Sequence, residues 1–131
     1  MAIDVYFDGG KKVNAVVHDF TVKTDQPLRS GGENTAPAPF ALFLASLATC
    51  AGFYVKAFCD QRKILADGIT LKLEHETDQV THLIRKIVIE IYVPADFPEK
   101  YDAAVINAAA VCAVKRQLNP SIENIITVIR K

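Results

Sequence analysis

A long uncharged stretch constrains the fold more than any other feature of this sequence. No charged residue occurs between Asn34 and Val55, and the part that follows Pro39 is almost entirely apolar. An α-helix that is apolar all round must be buried on every side or lie in lipid. The stretch could just span a bilayer, but Pro37 and Pro39 occupy its start and many of its residues are small. We therefore expect a central protein-covered helix that ends near Lys63 and does not cross a membrane.

The size and charge of the chain narrow the class of protein. Its 131 residues suit one domain, residues 1–131, and its 15 basic residues balance its 15 acidic ones, which gives no electrostatic case for a nucleic-acid partner. A short chain cannot easily wrap an apolar helix alone, so we expect a second subunit to complete the burial. The N-terminus lacks the features of a signal peptide, and the three cysteines are therefore expected to be cytoplasmic thiols.

Alternating apolar and polar residues predict six strands. The first three form a meander in which Ile3, Val5 and Phe7 make a half-buried strand and Phe20 points inward. A polar loop then leads to the apolar helix. The remaining strands are expected at residues 69–74, 83–93 and 122–129.

A second helix is expected between the last two strands. Pro98 suits its start and Pro120 stops the chain beyond it, so we expect the helix to run to about Leu118. The resulting order β-β-β-α-β-β-α-β predicts an α+β fold.

The three cysteines are expected to have unequal roles. Cys50 and Cys59 are nine residues apart on one helix, which separates them by about 13.5 Å, whereas a disulfide needs Cα atoms within about 7 Å. Cys112 lies on the inward face of the second helix. Both helices are rich in alanine around their cysteines, which would let the sulfurs of Cys50 and Cys112 approach each other. Two inert core cysteines remain the alternative interpretation.

A reactive cysteine needs a nearby cation, because the thiolate is the nucleophile and apolar burial raises the pKa of a thiol. Lys115 and Arg116 follow Cys112 closely and could reach its turn of helix. The sequence around Cys50 supplies no cation. The candidate activating cations for Cys50 come from other segments: Lys11, Lys12 and Arg29.

The histidines do not indicate a metal site. On an alternating strand the side chain of His75 points away from Glu74 and Glu76, so these groups cannot converge on one ion. His18 and His82 show no metal-binding spacing either. We expect no metal and no cofactor.

Two segments resemble the OsmC/Ohr family of peroxide-stress proteins. One is Ala38-Pro39 opening the apolar helix that continues through Ala45 to Cys50, and the other is Ala109 to Leu118 around Cys112. The resemblance implies an intertwined homodimer, with two central helices packed against sheets and active sites at the subunit interface. It also implies a thiol peroxidase in which Cys50 attacks an organic hydroperoxide, Cys112 resolves the sulfenic acid, and an unidentified dithiol reductant returns the electrons.

The sequence departs from the family pattern at the start of the first helix. Family peroxidases carry a glutamate directly after the helix-opening proline, paired with an arginine from the N-terminal strands, and here Phe40 stands at the glutamate position. We expect Phe40, Phe43 and Tyr54 to line an apolar pocket. The departure leaves a second function open, in which a non-peroxidase relative binds an apolar small molecule in the same pocket.

Overall fold

The computed structural model describes residues 1–131 and has an α+β architecture. Its element order is the predicted β-β-β-α-β-β-α-β. The strands are β1 Ile3–Phe7, β2 Val13–Val17, β3 Phe20–Val22, β4 Thr70–Thr77, β5 Ile84–Val93 and β6 Glu123–Arg130. The helices are α1 Pro39–Gln61 and α2 Asp102–Ala110. The chain packs as two compact units, Met1–Ala45 and Ser46–Lys131, with the boundary inside α1.

The first unit is an antiparallel sheet in the order β1-β2-β3. The β1–β2 hairpin pairs Ile3 with Val17 and Phe7 with Val13. Its turn requires positive φ angles, which Gly9 (85°) and Gly10 (56°) adopt without steric cost.

The apolar side chains of this sheet are not buried within the single chain. All five residues of β1 are exposed, and Phe20 is 73% exposed. The expectation that β1 is half-buried and that Phe20 points inward is therefore wrong for the single chain. The physical reason is that three strands with no second layer on their apolar residues cannot exclude water.

A buried carboxylate organises the loop that leads to α1. Asp25 is only 1% exposed and accepts hydrogen bonds from the N–H groups of Gln26, Glu33 and Thr35 and from the Thr35 hydroxyl. These bonds, led by that of the Thr35 hydroxyl, lower the pKa of Asp25 to about 2. The side chain thus stays charged and holds the loop closed at neutral pH.

The second unit is built on a sheet in the order β4-β5-β6. β5 pairs antiparallel with β4 and parallel with β6, and α2 lies in the crossover between the parallel pair. Alternate residues of β5 are buried, as the period-2 pattern predicts: Ile87, Ile89, Ile91 and Val93. Val105 and Ala109 of α2 are also buried in this unit.

Helix α1 has the predicted position, and the single chain buries only part of it. It ends at Gln61, close to the expected Lys63, whose left-handed backbone (φ 57°) follows it. Only one side of the helix is buried, and Phe53 is 65% exposed. The single chain therefore leaves the helix partly uncovered, as expected for a chain too short to surround it, and its completion by a second subunit stays a prediction. By length and mean hydropathy (1.6) α1 is also the one helix able to cross a membrane, a test that core helices pass as well.

Helix α2 is much shorter than predicted. A 3-10 turn, Glu99–Tyr101, leads into it as the Pro98 signal indicates, but the helix ends at Ala110 instead of near Leu118. A turn and a short 3-10 segment, Lys115–Gln117, follow. Cys112 consequently lies beyond the helix and not on it.

Candidate active site at two cysteines

Two of the three cysteines lie together in the second unit. Cys50 is on α1 and partly exposed, whereas Cys112 follows α2 and is only 2% exposed. The thiol of Cys112 donates a hydrogen bond to the sulfur of Cys50. All three cysteines are reduced. One sulfur thus faces solvent while its partner is protected behind it.

The early end of α2 places backbone donors around these sulfurs. The last helical bond at this end runs from the Val111 N–H to the Ala108 carbonyl (3.2 Å). The next free N–H groups, those of Ala113 and Val114, donate to the sulfur of Cys50. Both N–H groups lie beyond Ala110, the last residue of α2, so they are not part of the helix.

The Lys115 N–H donates to the sulfur of Cys112 (3.4 Å). Residues 112–115 therefore form a short turn whose amides face both sulfurs. None of these donors is a side chain, so no residue-type signal in the sequence could have revealed them.

The surroundings shift the pKa values of the two thiols in opposite directions. Hydrogen bonds from the Cys112 thiol, then from the Val114 and Ala113 N–H groups, lower the pKa of Cys50, and the charge of Arg116 adds to this effect. Burial raises the pKa of Cys112, and the hydrogen bond that it donates to Cys50 raises it further. Of the two thiols, Cys50 is therefore the one that ionises first as pH rises.

Arg116 is the cation of this unit that acts on Cys50. Its amide donates to the Cys112 carbonyl (3.3 Å) and its guanidinium to the Val111 carbonyl (3.4 Å), which hold it beside the turn. The sequence had associated Arg116 with Cys112 only. Because the two sulfurs lie together, a cation that closely follows Cys112 in the sequence acts on Cys50, and the short spacing from Cys112 to Arg116 was the available signal.

The predicted activating cations Lys11, Lys12 and Arg29 all belong to the first unit. Lys12 pairs there with Glu33 (3.2 Å), and Arg29 lies in a 3-10 turn, Leu28–Ser30. Their role at Cys50 stays a prediction.

Cys59 is separate from the pair. It is completely buried, and burial raises the pKa of its thiol. This environment fits the expected small core residue and makes Cys59 a suitable control for the other two.

An open groove runs between α1 and α2 within the second unit and has a volume of about 420 Å³. Its lining includes Tyr54, one of the three expected pocket residues. The other two, Phe40 and Phe43, stack on each other in the first unit with ring centroids 6.0 Å apart, and both are exposed. The rest of the groove is lined by Ala57, Phe58, Gln61, Arg62, Ala104, Asn107, Ala108 and Val111.

Comparison with known proteins decides the family. The sequence model of the OsmC-like protein family matches residues 32–126, well over half of the chain and a range that includes both Cys50 and Cys112. This chain belongs to the OsmC-like family. No curated protein sequence matches it.

Solved structures share the OsmC-like fold over nearly their whole length. A Psychrobacter arcticus protein described as an osmotic stress induced and detoxification response protein is 20% identical, with a TM-score of 0.83, and the match covers 98% of this chain and 96% of that one. An organic hydroperoxide resistance protein from Elizabethkingia anophelis is 18% identical, with a TM-score of 0.70 and coverage of 100% and 97%.

A Vibrio cholerae protein described as an organic hydroperoxide resistance protein, with captopril bound in one of its active sites, is 14% identical. Its TM-score is 0.64, and the match covers 98% of this chain and 91% of that one. At these identities the similarity establishes the α+β OsmC-like fold alone.

Proposed function

We propose that this OsmC-like protein is a thiol peroxidase that reduces organic hydroperoxides with Cys50 and Cys112. The observation that carries the proposal is the hydrogen bond between the two thiols, which favours a thiolate on the partly exposed sulfur and a proton on the buried one. A nucleophile that solvent reaches and a protected partner at bonding range are what a two-cysteine peroxidase needs.

The reaction would proceed in two steps. The Cys50 thiolate attacks the outer oxygen of the hydroperoxide; an S–O bond forms, the O–O bond breaks, and the alkoxide takes a proton to become an alcohol. The sulfur of Cys112 then attacks the Cys50 sulfenic acid, forming the disulfide, and the hydroxyl leaves as water with the proton of Cys112. An external dithiol reduces the disulfide and completes the two-electron cycle.

The proposal includes a homodimer in the cytoplasm. Large apolar side chains are exposed on β1, on β3 and on α1, where Phe53 is an example. Large exposed apolar side chains of this kind favour a protein partner, and a second copy supplies matching surface. Size-exclusion chromatography with light scattering should give twice the mass of the chain, and Phe53→Asp should shift the equilibrium towards monomer. A monomeric wild type at micromolar concentration would contradict the dimer.

Consumption of cumene hydroperoxide in the presence of dithiothreitol tests the chemistry. The wild type should turn over, Cys50→Ser should be inactive, and Cys59→Ala should retain activity as the matched control. Cys112→Ser should accumulate one added oxygen on Cys50, visible by mass spectrometry. Activity that survives Cys50→Ser would remove Cys50 from the mechanism. An inactive wild type would instead favour the family member that binds an apolar small molecule, in keeping with Phe40 at the glutamate position.

A further inference from the structure

A polar pocket lies within the first unit, Met1–Ala45, which contains none of the cysteines. Its volume of about 420 Å³ is within the usual range for small-molecule sites. Most of its lining side chains are polar, and they come from the sheet and from the loop before α1: Asp8, Lys12, Asn14, Lys23, Thr24, Thr35 and Ala36. The pocket is therefore a candidate binding site separate from the cysteine pair.

The register of the sheet brings these polar side chains together. The Val13 N–H donates to the Thr24 carbonyl (3.2 Å), so these two residues lie opposite each other at the ends of β2 and β3. Their neighbours Asn14 and Lys23 are consequently opposite as well. Lys12 is two residues from Asn14 and shares its face, because side chains alternate along a strand. One face of the sheet thus presents two lysines and an amide to the pocket.

Asn14 provides a buried polar group in the pocket. It is only 2% exposed, its Nδ2 donates to the Asp8 carboxylate (3.2 Å), and its Oδ1 accepts from the Thr24 N–H (3.4 Å). A side chain this buried and bonded on both sides has little freedom to move. Asn14 therefore holds the Asp8 carboxylate at the pocket.

The opposite wall of the pocket is also fixed. Thr35 donates its N–H (3.0 Å) and its hydroxyl (2.7 Å) to the buried carboxylate of Asp25. Because this carboxylate stays charged at neutral pH, the loop keeps its position beside the sheet. The pocket is therefore formed before any ligand binds, as is usual for small-molecule sites.

Two opposite charges of the pocket have no ion-pair partner in the chain. Lys12 pairs with Glu33 (3.2 Å), whereas none of the five ion pairs includes Asp8 or Lys23. Asp8 follows β1 and Lys23 follows β3, and these strands flank β2, which separates them by about 9.5 Å. A ligand that carries both charges at separate ends would match this arrangement, and one with a single charge would match only half of it.

We propose that this pocket binds a zwitterion of dipeptide size, with its ammonium group on Asp8 and its carboxylate on Lys23. A free α-amino acid carries both charges on one carbon, which is too short a span, whereas the ends of an extended dipeptide are about 7 Å apart. Asn14 would face the peptide group and Ala36 a small side chain. The inference goes beyond the peroxidase and does not depend on the cysteine chemistry.

Three matched ligands test the two charges separately. Alanylalanine carries both charges, N-acetylalanylalanine only the carboxylate, and alanylalanine amide only the ammonium group. Their dissociation constants can be measured by NMR titration of the full-length protein. Alanylalanine should bind about fivefold more tightly than either capped form, a modest ratio because both charged side chains are exposed. Equal affinity for the three ligands, or no binding of alanylalanine at millimolar concentration, would overturn the proposal.

Substitutions assign each charge to its residue. Lys23→Gln should bind alanylalanine no better than its amide, while still preferring both to the N-acetyl form. Asp8→Asn keeps an acceptor for Asn14 and should show the reverse pattern. Lys63→Gln removes an exposed lysine of the second unit that is in no ion pair, and is the matched control. An equal loss for all three ligands in Lys23→Gln, or the same loss in Lys63→Gln, would also overturn the proposal, because neither requires a contact between Lys23 and the carboxylate.

Discussion

The hydrogen bond from Cys112 to Cys50 can be tested apart from catalysis. Serine at residue 112 keeps a donor beside the Cys50 sulfur but cannot form a disulfide, whereas alanine removes the donor. We therefore expect Cys112→Ala, and not Cys112→Ser, to have a Cys50 that alkylates more slowly below neutral pH. Comparing the two variants therefore measures the contribution of the hydrogen bond that residue 112 donates to Cys50.

The size of the effect follows from the energetics of such a bond. A hydrogen bond to a charged group contributes about 1.5–3 kcal/mol, and the S–H group is a weak donor, so the lower end of that range applies. A loss of about 1.4 kcal/mol leaves roughly tenfold less thiolate at pH values below the pKa of Cys50. The remaining thiolate is more basic and about threefold more nucleophilic, which offsets part of the loss. The net expectation is alkylation about threefold slower in Cys112→Ala than in Cys112→Ser.

The assay is the pH dependence of iodoacetamide alkylation, followed by mass spectrometry in a Cys59→Ala background so that Cys50 is the only thiol. Because the interactions lower the pKa of Cys50, the thiolate persists as pH falls, and the midpoint of the profile should move to higher pH in Cys112→Ala. Circular dichroism checks that both variants are folded. Equal profiles for the two variants would refute the reasoning and leave the backbone amides and Arg116 as the source of the thiolate.

Three further outcomes are expected. Arg116→Gln should slow alkylation of Cys50 by about twofold, since exposed charges contribute under about 1 kcal/mol, and Arg116→Lys should restore it; no change in Arg116→Gln would exclude the charge. Thermal unfolding between pH 5 and pH 2 should show the wild type losing stability as pH falls from about 4 towards the Asp25 pKa of about 2, because a carboxylate with a lowered pKa stabilises only while ionised; Asp25→Asn should lack this component, and parallel curves would contradict it. Gly32→Ala should cost about 1–3 kcal/mol in urea unfolding, because its Cβ would lie 2.0 Å from the Gln26 carbonyl oxygen; an unchanged midpoint would show that the loop gives way.

Much of the fold could be read from local pattern. The period-2 alternation of β5 predicted which of its residues are buried, and Pro39 marked the start of α1. Gly9 and Gly10 supply the positive φ angles that the turn of the first hairpin requires. These features depend on neighbouring residues along the chain, so they are visible without the rest of the molecule.

The candidate site was only partly predictable. Sequence drew attention to Cys50 and Cys112, but it extended α2 through Cys112 because nothing between Ala110 and Leu118 breaks a helix. The amides that leave the helix bind a sulfur on α1, more than sixty residues away in the sequence. Local sequence propensities cannot predict a hydrogen bond between residues so far apart in the chain.

The sequence by itself determined the element order, the position of the apolar helix and which two thiols lie together, because periodicity, prolines and residue chemistry act over a few residues. Only the tertiary structure decided that α2 stops at Ala110, that backbone N–H groups surround the sulfur of Cys50, and that Arg116 and Arg62 lie at the turn and the groove. The tertiary structure also decided which of the two thiols has the lower pKa, since a pKa depends on burial and on donors brought from distant segments. Those contacts exist only after the chain has folded.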